Sequence, residues 1–436
     1  MPPDATDAAN LNWFREAAPY LQALRGATFV LAWTPGDSDE ANRALLGDCT
    51  RLASLGARIV LVHGIRDPLD RALAATNSPS HFHKGIRITP AHDMPCVQSV
   101  AGSERLSIEA RLSASALASP FDGKRVQVAT CNAVTARPYG IHDGVDHGCT
   151  GVVRRVDTTH LRAQLDGGAL VLQSPVGWAP SGELYNLRHE ELATEIAIAL
   201  RADKLIFLAR HSVVQPVLDA GQRDLTPATA DRWCEGHGDA ASALALRSAA
   251  TACRRGVTRA YLLDADRDGA LPTELLTRDG AGAMVSADNY EGLRAAAADD
   301  VAGLVALTAP LVSDGSLVAR AVEQFELDIG HFAVVERDGL LVACAALLPH
   351  ACGLGEFCCL ATHPDYRNGG RAAKLLTYCE TAARNRGLNA LFVLTTQTAD
   401  WFLERGFQPG ETDQLPPTVQ ARYSPSRNSK VLIKTL

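Results

Sequence analysis

Three things are scarce in this chain of 436 residues, and each absence closes a class of function. Basic charge is not in surplus: the formal net charge is −7, so a general nucleic-acid binder, which needs a basic face for phosphates, is not expected. No run approaches the roughly 20 apolar residues that span a bilayer, so no membrane partner is expected. The opening MPPDATDAANLNWF has neither a basic nor an apolar region of the secretory kind, so no signal peptide is expected there. Cysteine is plentiful, with eleven, yet no C-x-x-C pair or second Cys/His cluster stands at zinc spacing. CGLGEFCC is wrongly spaced, and the expectation is reduced cysteines in a cytoplasmic protein without a metal.

A finished nucleotide loop is also missing. HPDYRNGGRAAKLL (363–376) carries the glycines and the turn residues, but Lys374 is followed by Leu375 and Leu376 where a magnesium-binding loop needs Ser or Thr. What the chain does have is a repeated phrase: an amphipathic helix, a small turn with Gly, then a short apolar run. It occurs in RLASLGARIVLVHG (51–64), ALRADKLIFLAR (199–210), ACRRGVTRAYLLD (252–264) and ARNRGLNALFVLT (383–395). Three of these place a glycine (Gly56, Gly256, Gly387) where a helix ends left-handed before a buried strand, the grammar of α/β layers with mostly parallel strands. AGAMVSADNY (281–290) interrupts the pattern, so we place a domain boundary at 284/285.

In the second domain, HFAVVERDGLLVACAAL (331–347) reads as a hairpin about an Arg-Asp-Gly turn. EFCCLA, the glycine turn, a helix, ALFVLT and TADWFLERG follow. This order resembles the Gcn5-related N-acetyltransferase (GNAT) fold, whose Arg/Gln-x-x-Gly-x-Gly/Ala turn is matched by Arg367, Asn368, Gly369, Gly370, Arg371 and Ala372. A helix start offers free N–H donors and partial positive charge, small residues let backbone approach phosphate oxygens, and arginines add charge-assisted contacts. The resemblance implies acetyl-CoA as co-substrate, with its pyrophosphate on this turn and the main chain of Cys358, Cys359 or Leu360 on its carbonyl. Amine acetylation needs a base and an acid: Glu356 is the candidate base and Thr395 the candidate acid.

The whole second domain, including HPDYR, LVSDGSLVARAVEQFE and the tail ERGFQPGETDQLPPTVQARYSPSRNSKVLIKTL, is similar to that of the classical bacterial N-acetylglutamate synthases. By that resemblance Arg320, Leu317, Arg427 and Ser429 bind L-glutamate. Two arginines suit a dicarboxylate, since a guanidinium grips carboxylate as a bidentate fork.

The first domain resembles the amino-acid kinases, implying a three-layer αβα sandwich ahead of the mixed-sheet GNAT domain. RGATFVLAWTPGDS (25–38), VLVHGIRDP (60–68) and HKGIRITP (83–90) fall on kinase motifs. Ala32 and Trp33 stand where a lysine should be, Pro35 and Gly36 where a glycine pair should be, and Ile65 and Arg66 fill the second glycine loop. Without those donors phosphoryl transfer loses its charge stabilisation, so this domain is expected to be catalytically inactive. The resemblance implies that it senses L-arginine, the end product of the pathway, as a feedback inhibitor. Tyr20, in NWFREAAPYLQAL (12–24), and Glu274, Gly280 and Gly282, in LPTELLTRDGAGAMV (271–285), are the candidates. It also implies assembly of identical chains, a hexamer among the possible forms. Two rival readings remain at this point: a GNAT enzyme for another amine, such as a peptide terminus, and a non-catalytic arginine sensor.

Overall fold

The computed structural model describes residues 5–436 except 37, 118–125, 239, 288–290, 338, 351, 368–369, 425–426 and 428. It divides into two compact units, residues 1–288 and 289–436. The division falls four residues after the expected boundary because Ala283–Ser286 is itself a strand of the first sheet, antiparallel to Arg259–Asp264.

The first unit is built on an eight-stranded sheet. Its centre runs Arg259–Asp264, Lys204–Ala209, Thr28–Trp33, Arg58–His63 and Ala169–Gln173, each parallel to the next. The apolar runs after the helices form these strands: Ile59, Val60, Leu61 and Val62, for example, are all 1% exposed or less. Such runs suit strands covered on both faces. Helix His189–Leu200 packs on Thr28–Trp33, and helix Ala241–Arg254 packs on Arg259–Asp264. A second sheet of four strands, Leu184–Asn186, Val176–Trp178, Val134–Pro138 and Gly151–Val156, lies within the same unit.

The second unit is one seven-stranded sheet in the order Glu291–Ala295, Phe332–Arg337, Leu340–Pro349, Leu354–Thr362, Ala390–Thr395, Lys430–Thr435, Gln408–Gly410. All pairs are antiparallel except Leu354–Thr362 with Ala390–Thr395. Helix Arg371–Asn385 covers one face through Leu375, Leu376, Cys379 and Ala383, and helix Val301–Ser313 packs on strands Leu340–Pro349 and Leu354–Thr362. The parallel pair decides the site. Its register runs only over Leu354, Gly355 and Glu356, so Phe357–Thr362 continue without a strand partner on that edge among the described residues. Within that stretch Cys359 has left-handed backbone, φ 53°, and the register with Leu340–Pro349 shifts opposite it.

Candidate active site and a filled phosphate turn

Glu356 is the last residue before the two parallel strands part. It is 6% exposed, and its Oε2 accepts a hydrogen bond from Nη2 of Arg422. His350 Nε2 lies 3.6 Å from the same oxygen. Phe392 is the register partner of Glu356 across the parallel pair, so the two side chains share a face of the sheet, and the His350 ring packs against Phe392 at 5.6 Å.

The turn that follows offers the backbone donors. Gly370, φ 72°, precedes helix Arg371–Asn385, whose first turn has no side-chain cap. A Cβ at Gly370 would meet nothing within 4 Å. A helix start without a side-chain cap suits an anionic ligand such as a pyrophosphate. Arg371 turns its guanidinium onto Tyr366, donating to the Tyr366 carbonyl at 2.8 Å. Arg367 is exposed and Ala372 lies in the first helical turn. Asn368 and Gly369 lie outside the described residues. Cys358, Cys359 and Leu360 occupy the strand stretch beyond Glu356.

Of the candidate substrate residues, Arg320 reaches this strand. Arg320 donates to Asp328 Oδ2 at 3.0 Å and reaches Cys358 Sγ at 3.6 Å. Arg427 donates to the carbonyls of Gly315 at 3.1 Å and Ser316 at 3.4 Å, next to Leu317. The Ser429 carbonyl accepts from the Tyr423 hydroxyl at 2.8 Å. Thr395 stands apart from Glu356: strand alternation puts it with Leu391 and Val393 on the other face, and its hydroxyl accepts from Thr398 N–H at 3.1 Å at the start of helix Ala399–Leu403. Beside Arg320, the Cys359 thiol is held below its ordinary pKa, chiefly by the Cys358 thiol that hydrogen-bonds to it, while burial pulls the other way.

Sequence reasoning missed His350, Arg422, Asp328 and Tyr423. Arg422 stood in the quoted tail five residues before Arg427, but nothing in its spacing links it to Glu356.

Comparison with known proteins agrees with this geometry. Residues 36–264 match the amino acid kinase family and residues 328–409 the acetyltransferase (GNAT) domain. The chain is 46% identical over 433 residues to an amino-acid acetyltransferase of Azotobacter vinelandii, covering 98% of this chain and 99% of that one. The family is settled by that figure. The chain belongs to the amino-acid acetyltransferases. Another member, from Pseudomonas fluorescens, is 45% identical over 429 residues, with 98% and 99% covered. Among solved structures, N-acetylglutamate synthase from Neisseria gonorrhoeae complexed with coenzyme A and L-arginine is 34% identical with a TM-score of 0.83, covering 98% of this chain and 99% of that one. The same enzyme complexed with coenzyme A and N-acetyl-glutamate is 35% identical with a TM-score of 0.60, at the same coverage.

In this acetyltransferase the glycine turns of the kinase-like unit are crowded by their own side chains. Trp33 ends the central strand at 2% exposure. Asn42 ties off Gly36, accepting from its N–H at 2.9 Å and donating to its carbonyl at 2.9 Å. A Cβ on Gly36 would lie 2.1 Å from Asp266 Oδ1. Beside the second turn, the His189 ring would come within 3.0 Å of a Cβ on Gly64, and its Nε2 contacts Thr34 Oγ1 at 3.0 Å. His63, wholly buried and bonded to Ser174 Oγ at 2.9 Å, has its pKa pushed down to about 4, mainly by burial.

The regulatory candidates lie on neighbouring elements. The helix carrying Tyr20, Ala5–Leu24, packs against Ala270–Leu276, the helix carrying Glu274. Glu274 Oε2 accepts from the N–H of Ala281 at 2.6 Å and of Gly282 at 3.1 Å. Gly280, φ 63°, lies so close that a Cβ there would sit 2.4 Å from the carboxylate. Burial raises the Glu274 pKa against those two hydrogen bonds. Lys204, which also acts on Glu274 electrostatically, lies over the Tyr261 ring at 5.1 Å; neither residue was singled out from the sequence.

Proposed function

We propose that this protein transfers acetyl from acetyl-CoA to the α-amine of L-glutamate in one direct step, giving N-acetyl-L-glutamate, and that L-arginine binding to the first unit inhibits it as feedback on arginine biosynthesis. The observation that carries the reading is Glu356, buried at the point where the parallel strands part, on the strand that leads to the helix turn.

Glu356 takes the proton of the substrate ammonium. The freed amine attacks the thioester carbonyl, which is polarised by main-chain N–H groups of the unpartnered stretch around Cys359 and Leu360. The Arg367–Ala372 turn holds the pyrophosphate. Arg320 and Arg427, beside Leu317 and Ser429, hold the two carboxylates. Thr395, at the strand end but on the other face from Glu356, is the proposed donor to the leaving thiolate and recovers its proton from the nitrogen. Tyr20, Glu274, Gly280 and Gly282 make the arginine site, where the Glu274 carboxylate answers a cationic side chain. The N-acetylglutamate synthase of Neisseria gonorrhoeae, crystallised with coenzyme A, with arginine and with N-acetyl-glutamate, supports the choice of coenzyme, effector and product.

The protein acts in the cytoplasm, in keeping with the absence, among the described residues, of any helix long and apolar enough to cross a membrane. Assembly of identical chains, with a hexamer as one form, is supported by Leu11, Trp13 and Phe14, which stand exposed at 46%, 51% and 57% on helix Ala5–Leu24.

One assay tests the reading: thiol release from acetyl-CoA with glutamate, with and without arginine. Glutamate-dependent release suppressed by arginine is expected. Release with peptide amines but not with glutamate would overturn the substrate, and coenzyme binding without any release would leave only the sensor. Indifference to arginine would sink the regulatory half.

A further inference from the structure

We propose that His350 is a positioning residue that shares the proton taken up by Glu356, so that the accepting group is a carboxylate–imidazole pair rather than a lone carboxylate. This rests on the function proposed above and concerns the same reaction.

The strands set the geometry. Leu348 is the cross-strand partner of Glu356, and His350, two residues beyond Leu348, falls on the same face by strand alternation. The turn is fixed by the His350 N–H, which donates to the Leu354 carbonyl at 2.8 Å, and the ring is held against Phe392. Its Nε2 is buried and makes no hydrogen bond, yet it faces Glu356 Oε2 at 3.6 Å. The two side chains are 16% and 7% exposed, so water competes little for either. Arg422 approaches the same Oε2, so two groups bear on one oxygen.

That arrangement addresses a real difficulty. An alkylammonium holds its proton several pH units more tightly than a carboxylate does, and a guanidinium beside a carboxylate favours the charged form further. Arg422 has no acceptor atom and cannot take up a proton. An imidazole can. A proton placed between Nε2 and Oε2 turns two facing acceptors into a charge-assisted hydrogen bond. In the step, R–NH3+ gives one proton to Glu356, which shares it with His350. The freed nitrogen pair forms the N–C bond, the C–S bonding pair leaves with sulfur, and a second nitrogen proton passes to the thiolate. The charged and titratable groups around the pair are Arg422, from the segment after helix Pro417–Gln420, Cys358 and Cys359, further along the strand, and Arg320, from the segment before helix Val322–Asp328; the last three sense the Glu356 charge.

The test is the pH profile of kcat for the full chain with glutamate. His350→Phe keeps a ring against Phe392 and removes the base; His350→Gln keeps a polar group but cannot take up a proton. We expect both variants to lose about tenfold or more in kcat, with the acid limb of the profile moved to lower pH and both KM values within about twofold. Coenzyme A binding, measured separately, reports that the site still folds, and either variant alone suffices if the other does not fold. Wild-type kcat and an unmoved acid limb in His350→Gln would overturn the proposal. A wild-type enzyme inactive on glutamate would overturn the function itself, which separates the two failures.

Discussion

Each unit contains a strand, a glycine turn and a helix, and the two turns have opposite fates. In the second unit the helix after Gly370 starts uncapped, with open space where a Cβ would stand. In the first, Asn42 consumes both backbone groups of Gly36, the Ser38 hydroxyl caps the following helix, and Asp39 and Glu40 open that helix. The first turn ties down its glycine with a neighbouring side chain; the second has no side-chain cap among the described residues. A strand–Gly–helix element is therefore a permission to bind phosphate, and the atoms filling it decide whether the permission is used.

The largest effect that would sharpen this contrast is at the chemistry. Glu356→Gln should lower kcat by roughly 10²- to 10⁴-fold while coenzyme A still binds, as read by steady-state kinetics and calorimetry. Next comes the plug of the first unit. Trp33→Ala should cost about 3–5 kcal/mol of stability, the usual loss for a large buried aromatic. Arginine-free acetyl-transfer kinetics should stay unchanged below the new melting temperature, and nucleotide binding gained by this variant would break the comparison.

The third effect is acid sensitivity in the first unit. His63 has a folded pKa of about 4, below the unfolded value, so unfolding takes up a proton at intermediate pH. Its contribution to stability is complete above about pH 6.5 and is lost as pH falls toward 4, in total about 3 kcal/mol. His63→Gln should flatten that part of the melting temperature against pH. The smallest effect is at the open turn. Gly370→Ala forces a side chain into left-handed backbone, at a cost of about 1 kcal/mol. The acetyl-CoA KM should rise about fivefold, with glutamate KM unmoved. The matching Gly36→Ala, which presses on Asp266, should change stability and neither KM.

Much of the architecture could be read from the chain. All four helix–turn–strand phrases end in the expected strands: Arg58–His63, Lys204–Ala209, Arg259–Asp264 and Ala390–Thr395. Gly56, Gly256 and Gly387 all have positive φ. These features are local, so periodicity and turn chemistry report them. The strand Ala283–Ser286 was hidden inside a stretch of small and polar residues, because its place depends on antiparallel pairing with Arg259–Asp264. The environment of Glu356 was hidden for a similar reason. Arg422 lies 66 residues away in sequence, and its five-residue spacing to Arg427 carries no sign of the contact. His350 looked like the polar end of an apolar run; only the cross-strand register turns it toward a carboxylate. The filling of Gly36 was half visible: Trp33 announced a lost lysine, but the Asn42 clasp could not be foreseen.

The parting of the two parallel strands after Glu356 bears on solubility as well. An unpaired strand edge is a template on which another chain can add itself, and flat edges are the dangerous ones. Phe357–Thr362 is such an edge, rich in apolar side chains. Cys359, with its left-handed backbone and the register shift opposite it, breaks the regular spacing of N–H and C=O groups that an invading strand would need. The irregularity lets the protein keep an open edge for its own work without offering a straight one for aggregation.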